Sequence, residues 1–180
     1  MGKNLIVAQS GGPSAAINAT LAGVIAAAKA AAAGETTASP AAGISRIYGG
    51  LHGIEGILED RLVDLTDFTD FERLKATPAM ALGSCRCKLP PAEQRDAASY
   101  RKLAGIFQDY DIGYFLYIGG NDSMDTVLKL SQVFSQEGIA FVGLPKTIDN
   151  DLPLTDHTPG YGSAARYLAV TMGEIIQDTA

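Results

Sequence analysis

Unbroken apolar runs set the strongest limit on what this chain can fold into. Leu5–Ala8, Tyr114–Ile118 and Ala140–Leu144 each lack the in–out alternation of a strand with one wet face. Such runs belong to strands buried on both sides, as in a parallel sheet covered by helices. Each run stops abruptly at a turn: Ser10-Gly11-Gly12-Pro13, Gly119-Gly120-Asn121-Asp122-Ser123, and Pro145 to Asp151. Segments of helical period intervene. Ile17, Leu21, Val24, Ile25 and Ala28 form one apolar stripe, and Met124, Val127, Leu128, Ser131 and Phe134 form another. A third, Tyr161, Ala165, Leu168, Met172 and Ile175, marks a helix further on.

Between these, Ile44–Tyr48 reads as a second strand ending at Gly49-Gly50, and His52–Ile57 as the start of a short helix. Pro91–Tyr110, mostly polar and rich in helix formers, is expected to be an exposed helix. Residues 34–43 form a polar break that reads as a surface loop. The fold class that follows is α/β, a Rossmann-like three-layer sandwich around a parallel sheet. Right-handed crossovers would bring the turns after the strands to one edge of that sheet.

Composition excludes several functions. With 47% hydrophobic residues the chain is not disordered as a whole, and a net charge of −6 offers no basic surface for nucleic acid or an anionic membrane. No apolar run approaches membrane-spanning length. Cys85 and Cys87, one residue apart, lack zinc-knuckle or redox-motif spacing and read as reduced thiols of a cytoplasmic protein. His52 and His157 have no partner acid or metal spacing around them and read as structural.

The turns carry the chemistry. Glycines at the first let the backbone approach an anion, and the following helix N-terminus offers free N–H groups. Pro13 suits the first helical turn because its missing N–H is not needed there. The pattern is neither GxGxxG nor a P-loop, and a turn of this kind also serves purely structural ends. At the second turn Asp122 and Ser123 suit helix N-caps; the functional alternative is a phosphate turn that also arranges a magnesium ion. The third turn places Lys146, Thr147, Asp149 and Asp151 within a few residues of a strand end. A lysine there can neutralise a transferring phosphoryl group, and an aspartate can take the proton of an attacking hydroxyl.

Together these turns resemble the phosphofructokinase family. Gly49-Gly50-Leu51-His52-Gly53, Leu82-Gly83-Ser84-Cys85-Arg86 and Thr155-Asp156-His157-Thr158-Pro159-Gly160-Tyr161-Gly162 match further stretches of it in the same order. The resemblance implies transfer of a phosphoryl group to the 1-hydroxyl of fructose 6-phosphate with magnesium as cofactor. ATP users of the family read GGDGS at the second turn and often Pro-Gly-Thr at the third. Asp122 and Lys146 replace those glycines here, which resembles the pyrophosphate-dependent branch.

By the same match Asp149 resembles the general base, Asp151 its companion, and Thr147 a hydroxyl contacting sugar and phosphate. Lys146 resembles a pyrophosphate partner. Gly12, Arg86, Gly120, Asp122 and Ser123 fall in donor-lining segments, and Asn121 stands where many members have a magnesium-associated aspartate, leaving the metal to waters or Asp122. The family's Met-Gly-Arg segment, which grips the sugar phosphate from a second lobe, does not occur in this sequence. The resemblance therefore implies that residues 1–180 form an N-terminal donor-binding and catalytic lobe, of low activity alone and part of a homo-oligomer when full length. Transfer from ATP and a non-catalytic phosphate-binding lobe are the alternatives.

Overall fold

The structure, a computed structural model, describes residues 2–12, 14, 16–34, 43–158 and 160–180. The expectation for Pro13, most of the expected loop at 34–43 and Pro159 of the last matched motif lie outside the described residues.

The first apolar run forms β1, Asn4–Gln9, and it is the centre of the sheet. Helix α1 (Ile17–Ala32) leads to β2 (Ile47–Gly50), then α2 (Gly53–Leu58) and a short strand β3 (Leu62–Asp64). Helices α3 (Phe71–Ala76) and α4 (Ala98–Asp109) precede β4 (Ile112–Gly119), α5 (Asn121–Val133), β5 (Ala140–Pro145) and α6 (Tyr161–Thr179). Strand order is β3-β2-β1-β4-β5. The last four in that row are mutually parallel, while β3 pairs antiparallel with β2 through Tyr48 opposite Asp64 and Gly50 opposite Leu62. The expected parallel sheet is thus mixed at one edge. A strand of only three residues, Leu62–Asp64, is too short to leave a periodic signal.

Alternate residues of β1 feed two separate cores, as the pleat requires. Leu5 and Val7 join Ile17, Leu21 and Ile25 of α1 and Leu74 of α3. Ile6 and Ala8 join Ile54 and Ile57 of α2, Leu103 and Phe107 of α4, and Leu130 of α5 on the other face. Helices therefore cover both sides of the sheet, completing three layers. Phe115 is central to the second core. Its ring centroid lies 5.8 Å from Phe107, 5.9 Å from Tyr117 and 5.6 Å from Phe141.

Two helices differ from their sequence pattern. The expected exposed helix over Pro91–Tyr110 is shorter, Ala98–Asp109, and buries Tyr100, Leu103, Ile106 and Phe107. These four positions fall on one face, and the polar residues between them hide that face in an average over the segment. Helix α6 has the anticipated apolar period but no buried residue, and Leu168, Met172 and Ile175 stand exposed. Among the described residues no helix is long and apolar enough to cross a membrane.

The chain crosses from one side of β1 to the other between β2 and β4, so the connections leaving β1 and β4 diverge. In an open α/β sheet the crevice beyond the carboxyl ends of two such strands is where ligands bind. Truncating Phe115 to alanine should cost about 3–5 kcal/mol. Urea unfolding followed by circular dichroism would read this as a lower midpoint at unchanged slope, and an unchanged midpoint would refute the assigned core.

Candidate active site

The first and second turns meet backbone to backbone. Gly11 has φ +78°, and a Cβ there would come within 3.0 Å of the Gly120 nitrogen. Gly119 is tighter still: a Cβ would lie 2.2 Å from Ser123 Oγ and 2.8 Å from the Ser10 carbonyl oxygen. Only glycine permits that approach. Ser10 N donates to the Ile118 carbonyl at 2.9 Å, and Lys146 N donates to the Gly119 carbonyl at 2.8 Å. All three expected turns therefore converge at one sheet edge.

A cavity of about 540 Å³ opens beside the first two turns. Gly11 and Gly12 form one wall, Asp122, Ser123 and Thr126 of α5 another, and Ser84 to Lys88 a third. Of the expected donor residues, Gly12, Arg86, Asp122 and Ser123 line it. Gly120 does not line it but serves as the N-cap of α5. With that position taken by a glycine, neither Asp122 nor Ser123 is the cap residue. Asp122 instead sits in the first helical turn, where a carboxylate suits the positive end of the dipole, and its Oδ1 pairs with Lys88 Nζ at 3.3 Å.

The third turn stands next to this cavity. Lys146 and Thr147 are buried, whereas Asp149 and Asp151 are exposed. Lys146 Nζ donates to the Gly12 carbonyl oxygen, which ties the third turn to the first. Burial holds its ammonium below the usual lysine range, and the nearby Asp149 partly counters that shift. Asp149 N donates to Thr147 Oγ1 at 3.0 Å, so the threonine hydroxyl proton remains to serve as a donor. Asn121 Nδ2 donates to Asp151 Oδ2 at 3.3 Å and links the second turn to the third. Asn150, with φ +56°, folds the next stretch back: its Oδ1 accepts from Thr158 N at 2.9 Å and its Nδ2 donates to the Asp156 carbonyl at 3.1 Å.

Three cavity residues, Lys88, Tyr117 and Thr126, are not singled out by the sequence reading, and Ser10 and Ser84 enter it only as members of quoted motifs. Lys88 follows Arg86 by two residues, a spacing that signals a shared edge only once the segment is known to be extended. Tyr117 carries no such signal, since its place in β4 reads as core. Its hydroxyl accepts from Ile54 N at 3.1 Å and lies 4.0 Å from Cys85 Sγ. Burial drives its ionisation well above the ordinary tyrosine range, against a smaller opposing pull from hydrogen bonds.

The family model described as phosphofructokinase matches residues 4–180. A pyrophosphate–fructose 6-phosphate 1-phosphotransferase of Xanthomonas campestris is 44% identical over 98% of this chain. A crystal structure of the pyrophosphate-dependent phosphofructokinase from Nitrosospira multiformis covers 99% of it with a TM-score of 0.84 and 43% identity. An ATP-dependent 6-phosphofructokinase of Actinobacillus succinogenes is 30% identical over 98% of this chain. The chain spans 40% of the Xanthomonas relative, 42% of the Nitrosospira chain and 49% of the Actinobacillus relative. It belongs to the phosphofructokinase family.

Replacing Tyr117 with phenylalanine leaves the buried Ile54 N–H without its acceptor and should cost about 1–3 kcal/mol in a urea melt. In wild type the neutral phenol is favoured by the fold. Its contribution is fully present below about pH 10, the unfolded tyrosine value, and is lost progressively as pH rises above it. Alkaline titration at 295 nm should show Tyr117 ionising with unfolding rather than with the exposed tyrosines.

Proposed function

We propose that this family member provides the phosphoryl-donor and catalytic lobe of a pyrophosphate-dependent 6-phosphofructokinase. The observation that carries the reading is Asp122, whose carboxylate stands on the wall of the donor cavity. A nucleotide would set its α-phosphate against that negative charge, whereas pyrophosphate ends before reaching it. The names of the relatives with the higher identities support the same donor. ATP-dependent transfer is the second reading, favoured by the family's ATP-named members and opposed by Asp122.

Pyrophosphate would lie along the Gly11–Gly12 turn, facing Arg86 and Lys88. Fructose 6-phosphate would approach from the third turn. There Asp149 accepts the proton of the sugar 1-hydroxyl as its oxygen attacks the nearer phosphorus. The bridging P–O bond breaks, orthophosphate leaves, and fructose 1,6-bisphosphate forms. Thr147 donates its hydroxyl to the moving phosphoryl group, while Asp151, oriented by Asn121, supports Asp149. Buried Lys146 acts through the Gly12 carbonyl, fixing the first turn beneath the donor, and its charge helps balance the phosphates.

Magnesium fits this arrangement. Among the described residues no three His, Cys, Asp or Glu side chains form a metal cage. Magnesium in phosphoryl transfer needs only one or two carboxylates with substrate oxygens and water. Asp122 would supply such a carboxylate from the cavity wall, with Asn121 next to it in sequence. When bound, the ion offsets charge developing on the leaving phosphate. A cytoplasmic setting agrees with the free thiols of Cys85 and Cys87.

Calorimetric titration with magnesium pyrophosphate and, separately, magnesium ATP tests the donor. Binding of pyrophosphate alone is expected, and binding of ATP alone would overturn it. Asp149→Asn should lower turnover by about 10²–10⁴-fold while pyrophosphate affinity stays put. Retained turnover would remove Asp149 from the proton-transfer step.

A further inference from the structure

Behind the first turn lies a pair of amides that the proposed chemistry does not use. Gln9 and Asn18 are both 0% exposed, one at the end of β1 and the other in the first turn of α1. Gln9 Nε2 donates to Asn18 Oδ1 at 3.1 Å and to the Ile17 carbonyl at 3.2 Å. The remaining bonds reach a distant segment. Gln9 Oε1 accepts from Leu82 N at 2.9 Å, Asn18 Oδ1 from Ala81 N at 2.9 Å, and Asn18 Nδ2 donates to the Thr77 carbonyl at 2.9 Å.

Residues 77–88 contain no helix or strand, so these side chains, together with His52 N donating to the Leu82 carbonyl at 2.7 Å, take the part of a backbone ladder. The far half of the segment is the cavity wall bearing Ser84, Arg86 and Lys88. Two more bonds close it onto the first turn: Ser10 Oγ to the Cys85 carbonyl and Ser84 Oγ to the Gly11 carbonyl, both 3.1 Å. The turn at 10–12 is likewise held between Gln9 and Ile17. The amide pair is thus the buried anchor of the segment, and the two serine bonds span the walls beyond it.

We propose that Gln9 and Asn18 are positioning residues: their paired amides hold residues 77–88 against the first turn, so that Arg86 and Lys88 face a phosphate there. Loss of either amide leaves buried partners unsatisfied, and the segment opens more often while the sheet persists. This inference rests on the reading of the cavity as a pyrophosphate site, and its test separates the two.

Cys85 and Cys87 lie within the segment and report its opening without any ligand. Gln9→Met and Asn18→Asp should each raise the rate of thiol labelling by about tenfold or more and weaken magnesium pyrophosphate binding by a similar factor. Ile25→Ala, which loosens α1 from the opposite core, controls for lost stability and should change neither. Unchanged labelling in the amide variants overturns the clamp. Faster labelling with unchanged pyrophosphate affinity overturns its role at the donor site. Equal effects from Ile25→Ala reduce it to general stability and overturn it as well. If wild type binds no pyrophosphate, the cavity reading fails, and labelling alone still decides the clamp. Should both variants fail to fold, hydrogen exchange in wild type decides it. Ala81 and Leu82 amides exchanging as slowly as those of β1 support the clamp, and fast exchange overturns it.

Discussion

The site depends on a backbone contact that leaves no space for side chains. β1 and β4 run parallel as neighbours, with Ala8 opposite Tyr117 and Gln9 opposite Ile118, so their following turns must occupy adjacent ground. Gly11 and Gly119 make that possible, because a Cβ at either position would meet backbone or the Ser123 hydroxyl. From these touching turns α1 and α5 run back along opposite faces of the sheet, and α5 lends its first turn to the cavity wall. The third turn follows from the same pairing, since β5 lies beside β4 and ends level with it, Pro145 opposite Gly119. Sheet register thus sets the relative heights of all three turns.

How much of this is legible in sequence depends on how local the cause is. β1, β4 and the stripe of α1 follow from neighbouring residues, and the structure has them. The expected strand over Ile44–Tyr48 is shifted to Ile47–Gly50, and β5 at the sheet edge buries no residue. The expected α5 stripe is partly turned, with Val127 and Phe134 buried but Leu128 exposed and Leu130 in the core instead. The mixed edge at β3 and the half-buried α4 do not follow locally, because Leu62–Asp64 is too short and the buried face of α4 is diluted by charge. Residues 77–88 are the strongest case. Their path is written in Gln9 and Asn18, some 60 to 70 positions earlier, which no local window connects. Lys146 shows a subtler gap: its presence near phosphate chemistry is legible, but its hydrogen bond to the Gly12 carbonyl is a tertiary fact.

A chain with a net charge of −6 is an unlikely-looking host for a tetra-anion only if charge is averaged. Across a cavity a few ångströms wide, local charges decide the potential, and distant carboxylates are screened beyond about 8–10 Å. Arg86 and Lys88 on one wall, buried Lys146 behind another, and the positive start of α5 concentrate positive potential where phosphate would lie.

The pairing of Asp122 with Lys88 then has a double consequence. The pair sets two opposite charges 3.3 Å apart on facing walls of the cavity. Both side chains are largely exposed, so the bond contributes little to stability and is cheap to exchange. On the proposed reading, a pyrophosphate carrying magnesium would present both signs at once, an anion for Lys88 and a cation for Asp122, and would replace each partner of the pair. A donor extending further along Asp122 without a cation at that point would meet an unpaired carboxylate instead. Under that reading, discrimination would come from repulsion against the longer donor as much as from attraction to the shorter one.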